Sequence, residues 1–349
     1  MAKNDFLRNV WYYALPGGSL KRGTMVAKTL LGEPVVFARS REGKVFALRN
    51  ICPHRAVPLS CGRFDGQEIE CCYHGWRFDQ TGRCTEIPAL VEGDPLDLSR
   101  FQVKQYLVRE VQGNIWIYMA SNERNASQEP NMEVPVVPFF GDKSYQMVVT
   151  LHFPCYMDHA IIGLMDPAHL PYVHRSWWWK SGRSLFEEVK AFDPSPYGFT
   201  MRRHQIPNVA LGYRLIGGGA PETEISFRLP GVRIEHVSTE RHNVCNLTAV
   251  TPLSETETEV TTLLYWTTPW ISAIKPLIKP FVRAFLDQDR QVVIKQQEGL
   301  KYDPTLLLIR DADTQARWYY QLKAEFARAA AEERPFINPV KTQVLRWRS

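Results

Sequence analysis

The chain has 349 residues, which is long for one compact domain and suits two domains that each bury a core of their own. Hydrophobic residues make up 44% and charged residues 23%, which is the composition of a folded protein and excludes a chain that is disordered throughout. The formal net charge of +5 is too small to indicate nucleic acid binding, although it would favour the docking of an acidic protein partner.

The first third of the chain is predicted to consist of short strands joined by turns. Two apolar runs, at 35–38 and 45–48, flank the turn residues Glu42 and Gly43, which is the pattern of a β-hairpin. A further strand is predicted at 114–118, directly after another turn signal. This part of the sequence therefore predicts an all-β domain.

A polar run at 121–130 is low in apolar residues, as linkers between domains are. We therefore predict a first domain over residues 1–120, a linker over 121–144 and a second domain over 145–349.

The second domain is predicted to begin with a strand at 145–153, followed by a helical or bent segment that carries histidines. Several strands follow between about 198 and 268, and helical periodicity covers 276–299 and 314–330. Strands followed by helices indicate an α+β domain in which a long C-terminal helix lies over an antiparallel sheet.

The N-terminal sequence contains no apolar leader, and the longest nearly uncharged stretch, at 260–274, is too short to cross a bilayer. We therefore expect a cytoplasmic location. In a reducing compartment the odd number of cysteines, seven, argues against disulfides and favours metal binding.

Two cysteine–histidine pairs lie beside predicted turns of the first domain. Cys52 and His54 form a C-x-H pair, and Cys71 and His74 form a C-x-x-H pair. Two thiolates and two imidazoles can bind zinc tetrahedrally, or a Rieske [2Fe–2S] cluster in which the cysteines bind one iron and the histidines the other. The surrounding sequences, ICPHR and YHGW, resemble the two loops of Rieske proteins, which favours the cluster over a structural zinc.

The neighbouring cysteines are assigned by spacing. Cys72 stands where Rieske proteins usually have proline, and Cys71 is the expected ligand because it alone lies three residues before His74. Cys61 and Cys84 are expected to be buried thiols.

The second domain contains the pattern D-x2-H-x4-H, formed by Asp166, His169 and His174. Two histidines and a carboxylate can form the facial triad of non-haem iron enzymes, which leaves coordination positions open for O2 and substrate. On an unbroken helix the two histidines would lie about 140° apart, at about 100° per residue, which suits one ion poorly. A helix break at Pro171 would bring His174 back.

Taken together, the two motifs resemble those of the Rieske non-haem iron aromatic ring-hydroxylating oxygenases, in particular the α-subunit-only oxygenases that include vanillate and dicamba demethylases. The resemblance covers essentially the whole chain, from Phe6 to the helix containing Trp318. It implies a Rieske domain followed by a catalytic helix-grip domain, a [2Fe–2S] cluster, one Fe(II), a homotrimer, and electrons from a separate NAD(P)H-linked ferredoxin or flavin reductase.

The resemblance also implies roles for single residues. The third iron ligand is expected on the late helix at Asp289, with Asp287 as the rival. Asp166 resembles the family's bridging aspartate, which would link His169 to a Rieske histidine of the neighbouring subunit and, as a hydrogen-bond acceptor, orient the His169 ring. Gly163 departs from relatives that have asparagine there.

The predicted function is an oxygenase component that hydroxylates or oxidatively demethylates a bulky hydrophobic substrate, aromatic or polycyclic, with steroid-like rings included. An apolar, basic segment from Trp270 to Val282 is interpreted mainly as core, with a peripheral membrane contact as the functional reading. The tryptophans at 177–179 are likewise interpreted mainly as core, with a hydrophobic access route as the functional reading. Arg175 is interpreted mainly as a surface or interface residue, with binding of a carboxylated substrate as the alternative. The alternatives are an electron-transfer Rieske protein and a carrier of hydrophobic ligands.

Overall fold

The computed structural model describes residues 6–121, 130–174, 185–206 and 219–349. The chain divides into two compact units, one of Arg8–Val134 and the other of Pro135–Ser349 together with the N-terminal residues through Leu7. The division falls within the segment predicted as a linker, of which residues 122–129 lie outside the described residues. In the remainder of that segment five side chains are buried, namely Met132, Val134, Pro135, Val137 and Phe140.

The first unit is built from short antiparallel strands. These are β1 Val10–Pro16, β2 Thr24–Leu30, β3 Glu33–Arg39, β4 Val45–Arg49, β5 Arg63–Phe64, β6 Ile69–Glu70, β7 Arg77–Phe78, β8 Cys84–Glu86, β9 Gln105–Tyr106, β10 Val108–Val111 and β11 Asn114–Met119. They form three sheets with the strand orders β1-β11-β10, β2-β3-β4-β9 and β5-β6-β7-β8. The predicted hairpin is confirmed, since β3 pairs with β4 and Val36 lies opposite Leu48.

One core cluster of the first unit joins this hairpin to the loops that carry the cysteine–histidine pairs. Its buried members include Val36, Leu48, Cys52, Cys71 and Phe78. Because the same apolar cluster contains hairpin residues and both cysteines, the two loops are packed on a sheet rather than held only by their own turns.

The second unit contains one antiparallel sheet of eight strands. The strands are β12 Met147–Phe153, β13 Glu187–Ser195, β14 Gly198–Gln205, β15 Glu222–Arg228, β16 Val232–Ser238, β17 Asn243–Pro252, β18 Thr258–Trp266 and β19 Gln343–Arg348. Their order in the sheet is β12-β18-β17-β16-β15-β14-β13-β19. The last strand was not predicted, although its alternation of buried Leu345 and Trp347 with exposed neighbours is a strand signal.

In the described ranges this sheet is accompanied by the helices α1 Met157–Met165, α2 Leu170–Val173, α3 Pro269–Leu300 and α4 Thr314–Ala331. Helix α3 packs on β12 and contacts both α1 and α2. Helix α4 covers β14 and β15, where Trp318 packs on Phe199 and Tyr319 on Phe227. A long helix over an antiparallel sheet confirms the predicted α+β class.

Helix α3 starts earlier than predicted, at Pro269 instead of residue 276. The expected start rested on the helical periodicity of the apolar residues from Pro276 onward. In the structure Pro276 and Pro280 lie inside the helix. Each removes one helical hydrogen bond, and both are exposed, so water can reach the carbonyls that lose a donor. Among the described residues no helix has the length and apolar character needed to cross a membrane.

Candidate metal centres

The first cysteine–histidine loop lies between β4 and β5 and is closed by main-chain hydrogen bonds. The amide of Cys52 donates to the carbonyl of Val57 at 2.9 Å, and the amide of Ala56 donates to the carbonyl of Cys52 at 2.9 Å. Ala56 takes a left-handed conformation with φ 57° to make this turn. The turn places His54 at the exposed tip and keeps Cys52 inside.

The second loop lies between β6 and β7 and closes in a similar way. The amide of Cys71 donates to the carbonyl of Trp76 at 2.8 Å, and the amide of Gly75 donates to the carbonyl of Cys71 at 3.0 Å. Gly75 has φ +71°, and a Cβ there would also lie only 3.0 Å from Cγ of Pro88. Glycine is therefore required beside His74 for both backbone conformation and space.

The two loops bring the four predicted donors together. The thiols lie inside, with Cys52 2% exposed and Cys71 3% exposed. The imidazoles lie outside them, with the ring centroids of His54 and His74 4.5 Å apart. His54 also stacks on Trp76, at 4.7 Å between centroids and 9° between planes.

Burial, together with the neighbouring Cys71, raises the pKa of the Cys52 thiol to about 11. Two thiols buried side by side would ionise together only next to positive charge, which a metal centre supplies. The residues present therefore fit a centre with two thiolates on the inner side and two imidazoles on the outer side.

The other cysteines of the first unit are placed differently from one another. Cys72 is exposed, whereas its neighbour Cys71 is buried. Cys84 is buried as predicted. The prediction for Cys61 is wrong, because this thiol is exposed. It ends the short 3-10 turn Leu59–Cys61, in which Leu59 instead takes the buried position.

The second predicted motif lies between α1 and α3. Helix α1 ends at Met165 and is capped by Asp166, whose amide donates to the carbonyl of Ile162 at 3.0 Å. His169 then precedes the single turn α2, and His174 follows it with ψ 67°, outside the helical range. The prediction of a helix break at Pro171 is therefore wrong. Pro171 lies in the first turn of α2, where its missing N–H costs nothing, and the bend that turns His174 back comes after Val173.

His169, His174 and Asp289 form a compact triangle of donor atoms. The two Nε2 atoms lie 3.2 Å apart, and Oδ1 of Asp289 lies 3.4 Å from Nε2 of His169 and 3.2 Å from Nε2 of His174. Three donors that are each about 2.1 Å from one ion and at right angles to each other would be about 3 Å apart. The triangle therefore fits a facial arrangement around a single ion.

The rival carboxylate, Asp287, is engaged elsewhere on α3. Its Oδ1 accepts from Nε of Arg290 at 2.6 Å, and its Oδ2 accepts from the amide of the Gln291 side chain at 3.4 Å. It lies two residues from Asp289, or about 200° around the helix at about 100° per residue, so the two carboxylates point in different directions.

Hydrogen bonds at the far side of each ring determine which nitrogen of each triad histidine faces the triangle. Nδ1 of His169 lies 2.6 Å from the carbonyl oxygen of Asp166, and Nδ1 of His174 lies 2.9 Å from Oε1 of Gln288. Because both partners are acceptors, each Nδ1 carries the proton and each neutral ring presents a lone pair at Nε2. Two lone pairs and a carboxylate oxygen within 3.4 Å of each other repel unless a cation or a proton lies between them.

The same contacts shift the pKa values of the triad. Burial works against the charge on His169, but the hydrogen bond and charge of Asp289, with Asp166 beyond, raise the pKa of His169. Burial likewise opposes ionisation of Asp289, but the two histidines hold its pKa below the ordinary carboxyl value. The site thus favours an ionised Asp289 with a positive charge beside it, carried by a proton or by a cation between the three donors.

Asp166 differs from its prediction in one respect. The hydrogen bond that orients His169 comes from the Asp166 main-chain carbonyl, while its carboxylate Oδ2 is 3.8 Å from Nδ1. The carboxylate accepts instead from the amide of Ala168 at 2.7 Å. Burial raises the pKa of Asp166. The side chain is 31% exposed and so remains accessible.

Two residues of this site were missed in the sequence. Gln288 holds His174, and Phe285 stacks on the same ring with 3.7 Å between centroids and 9° between planes. Gln288 and Phe285 precede Asp289 on α3 by one and by four residues. Their closeness in sequence to a predicted ligand is the feature that could have identified them.

Other predicted features lie away from the triangle or outside the described residues. Asp158 is buried and accepts hydrogen bonds from Tyr319 and Lys323 of α4, so it joins α1 to α4. His159 is half-buried, and burial lowers its pKa. Arg175 and the tryptophans at 177–179 lie outside the described residues.

Two family models match the chain. A Rieske [2Fe-2S] domain matches residues 10–112, which contain both cysteine–histidine loops, and this decides between the cluster and zinc. The vanillate O-demethylase oxygenase C-terminal domain matches residues 161–329, which contain the triangle of donors.

Known proteins agree with these matches. The chain is 33% identical over 176 residues to the oxygenase component of dicamba O-demethylase from Stenotrophomonas maltophilia, covering 49% of this chain and 48% of that protein. It is 28% identical over 311 residues to the chloroplastic chlorophyllide a oxygenase of Arabidopsis thaliana, covering 84% of this chain and 53% of that protein. The chain thus spans about half the length of these curated relatives.

The crystal structure of dicamba monooxygenase bound to dicamba superposes with a TM-score of 0.73, covering 95% of this chain and 100% of that chain at 22% identity, which shows a shared fold. Two consecutive domain matches, each holding one cluster of metal donors, lead to one assignment. The chain belongs to the Rieske non-haem iron oxygenases of the vanillate and dicamba demethylase type, with a Rieske [2Fe-2S] domain followed by a vanillate O-demethylase oxygenase C-terminal domain.

Proposed function

We propose that this chain is the oxygenase component of a multicomponent system that hydroxylates or oxidatively demethylates a bulky hydrophobic substrate with O2. In this proposal Cys52, His54, Cys71 and His74 hold the [2Fe–2S] cluster, and His169, His174 and Asp289 hold one Fe(II). The observation that carries the proposal is the convergence of two imidazole lone pairs and one carboxylate oxygen within 3.4 Å, in a chain that also has a Rieske domain.

When bound, the cluster supplies single electrons and the iron supplies open coordination positions for O2 and substrate. The protein supplies orientation. The carbonyl of Asp166 and the side chain of Gln288 fix the protonated nitrogens of the two triad histidines, so that the opposite nitrogens face one point. Phe285 covers one face of His174, which is 1% exposed, and keeps water from that side of the site.

The size of the substrate is inferred from Gly163, on the last turns of α1 before Asp166. The sequence resemblance implies an asparagine at this position in many relatives, whereas a Cβ added to Gly163 would meet no described atom within 4 Å. The missing side chain leaves space beside α1, three residues before Asp166, and this space would suit a substrate larger than one substituted ring. The long alignment with a chlorophyllide a oxygenase supports a polycyclic substrate, while the relatives named above give no support for a steroid.

The partners follow from the same proposal. A separate ferredoxin or flavin reductase, linked to NAD(P)H, would supply electrons, and the net charge of +5 suits an acidic donor. A homotrimer would bring the cluster of one subunit to the iron of the next, through a head-to-tail interface that closes into a ring. Asp166 would bridge the two centres in that assembly.

The test is a count of iron per chain in the purified protein, combined with EPR of the reduced form. The oxygenase requires three irons, two in the cluster and one in the triad, together with a Rieske-type EPR signal. Two irons would indicate an electron-transfer protein and none a ligand carrier, and either result would refute the proposal. NADH- or NADPH-dependent O2 uptake across aromatic and lipid compounds, with a reductase added, would then identify the substrate.

A further inference from the structure

The two long helices of the second unit cover different parts of one face of its sheet. On one side, Ile278 of α3 and Leu264 of β18 pack on the same cluster around Met147. On the other side, Tyr319 of α4 packs on Phe227 of β15. The strands β16 and β17 lie between β18 and β15 in the sheet. These two strands therefore form a central strip between the two helix contacts.

The central strip carries polar side chains on the face that the helices cover. Glu235 of β16 lies opposite Asn246 of β17, and Asn246 lies opposite Leu264. Arg233 of β16 lies opposite Phe227. Residues directly opposite each other in an antiparallel pair project from the same face, as do residues two apart in one strand. Arg233, Glu235 and Asn246 therefore lie on the face that α3 and α4 cover.

The two charged residues of the central strip neutralise each other. Nη1 of Arg233 lies 3.0 Å from Oε2 of Glu235, and the two side chains are 22% and 16% exposed. Both side chains thus keep some accessible surface, where a ligand can reach them. The pair as a whole presents no net charge to that ligand.

Asn246, beside this pair, has an acceptor without a donor. Its Oδ1 is buried and receives no hydrogen bond from any described residue, although the residue as a whole is only half-buried. A buried acceptor without a donor costs free energy, which a donor from a ligand would recover. The amide of an asparagine turns readily about its last torsion, so this oxygen can be presented to a ligand on the central strip.

We propose that Arg233, Glu235 and Asn246 contact the substrate and determine its specificity. This inference rests on the proposed function and deepens it by naming the substrate class, a polycyclic compound that carries a neutral hydroxyl group and no carboxylate at this end. The hydroxyl donates to Oδ1 of Asn246. A carboxylate in the same place would meet the negative charge of Glu235, which already engages Arg233, and would be repelled.

The central strip leads to helix α1, after which the metal triad begins. A Cβ on Gly231 would lie 2.9 Å from Cδ1 of Ile161 on α1 and 3.2 Å from Cβ of Val250. Arg233 is two residues from Gly231, and Asn246 is four residues from Val250. At about 3.4 Å per residue they lie about 7 and 14 Å along their strands from the contact with α1. A ligand held at Asn246 would thus extend its rings along the strip toward α1.

The test measures ligand binding to the purified holoprotein by equilibrium dialysis, without a reductase so that no turnover occurs. The three probes, naphthalene, 2-naphthol and 2-naphthoate, share one two-ring skeleton. We expect the wild type to bind 2-naphthol about fivefold more tightly than naphthalene, as one added hydrogen bond gives, and 2-naphthoate most weakly. Asn246→Leu keeps the size of the side chain and should bind 2-naphthol and naphthalene alike.

Glu235→Gln gives the sharper test, because the expected result is a gain. Without the charge of Glu235, Arg233 can form charge-assisted hydrogen bonds with a ligand carboxylate. We expect 2-naphthoate to bind at least about tenfold more tightly than to the wild type, while the affinity for 2-naphthol changes little. Glu224→Gln is the matched control, since it removes the same charge from the opposite face of the sheet, beside His236. It should bind 2-naphthoate like the wild type.

Equal affinities of Glu235→Gln and Glu224→Gln for 2-naphthoate would overturn the proposal, because the ion pair would then only hold the two strands. A preference for 2-naphthol that survives in Asn246→Leu would overturn it as well. So would wild-type protein that binds the three probes alike or binds none of them.

Dialysis requires neither electrons nor O2, so the two proposals fail separately. A protein with three irons and substrate-dependent O2 uptake, in which Glu235→Gln gains no affinity for 2-naphthoate, refutes only the specificity. A protein that shows this gain but lacks the third iron refutes only the oxygenase function.

Discussion

The Nε2 atoms of His169 and His174 lie 3.2 Å apart, although each ring is held by a different part of the fold. His169 is oriented by the carbonyl of Asp166, four residues before α2 begins, and His174 by Gln288 on α3. Two independent acceptors therefore orient the two rings. Substitution of an acceptor should weaken iron binding, whereas substitution of a ligand should abolish it.

Gln288 is expected to control metal affinity through His174. Gln288→Leu removes the acceptor for Nδ1, so the ring loses both its orientation and its fixed tautomer. We expect Fe(II) affinity to fall about 10- to 100-fold, measured by competition with a chelator, while the visible spectrum of the cluster is unchanged. Gln288→Glu keeps an acceptor and should restore the affinity. Gln291→Leu, on the exposed side of α3, is the control, and wild-type affinity in Gln288→Leu would contradict the assignment.

Asp289 and Asp287 are expected to behave oppositely. Asp289→Ala leaves two imidazoles and should lose the third iron, whereas Asp287→Ala removes only the contacts with Arg290 and Gln291 and should retain it. Iron content and product formation are the measurements, with the cluster spectrum as the internal reference. The reverse pattern, iron lost with Asp287→Ala alone, would make Asp287 the ligand.

The adjacent cysteines provide a similar pair for the cluster. Cys71→Ser removes one of the two buried thiols of the proposed cluster site and should abolish the visible and EPR signals of the cluster. Cys72→Ser changes an exposed thiol and should leave both signals in place. A colourless Cys72→Ser protein would show that the register of the two cysteines has been assigned wrongly.

Asp166→Asn is expected to slow electron transfer without loss of metal. The ring of His169 is oriented by the Asp166 main-chain carbonyl, which the substitution keeps, so iron content should equal that of the wild type. The carboxylate loses its charge and one acceptor oxygen. We expect oxidation of the reduced cluster in a single turnover, with substrate and O2, to slow at least about tenfold, or about 1.4 kcal/mol of barrier. Oxidation at the wild-type rate would remove this carboxylate from the electron path.

A carboxylate in the first unit is expected to make stability depend on pH. Burial of Glu33 opposes its ionisation, but the hydrogen bonds from Tyr106 and Arg8 and the charges of Arg8 and Lys104 outweigh burial and lower its pKa below 4.5. A lowered pKa in the folded state adds stability above 4.5, which is lost as the pH falls through the lowered value.

Glu33→Gln should therefore cost about 1–2 kcal/mol of unfolding free energy at pH 7 and progressively less below pH 4.5. Urea unfolding of the wild type and the variant at a series of pH values measures the difference, in which effects of acid on the cluster cancel. A difference that does not change with pH would mean that Glu33 contributes only packing.

Residues close together in the sequence were enough to predict much of the site. The C-x-H and C-x-x-H spacings and the D-x2-H-x4-H motif are local patterns, and the hairpin of β3 and β4 follows from strand propensity and a short turn. The order of strands followed by helices was likewise enough for the α+β class. Local patterns succeed here because the residues involved are linked by a few bonds and cannot move far apart.

Only the tertiary structure decided which distant residues meet and which side chains are buried. Asp289 and Gln288 reach His174 because α3 packs beside α2, a contact across more than 100 residues that local spacing does not determine. For the same reason β19 pairs with β13, at the edge of the sheet. The outward position of Trp270 and the exposure of Cys61 depend on which side of each element packs on the core, and apolar residues occupy both sides of α3.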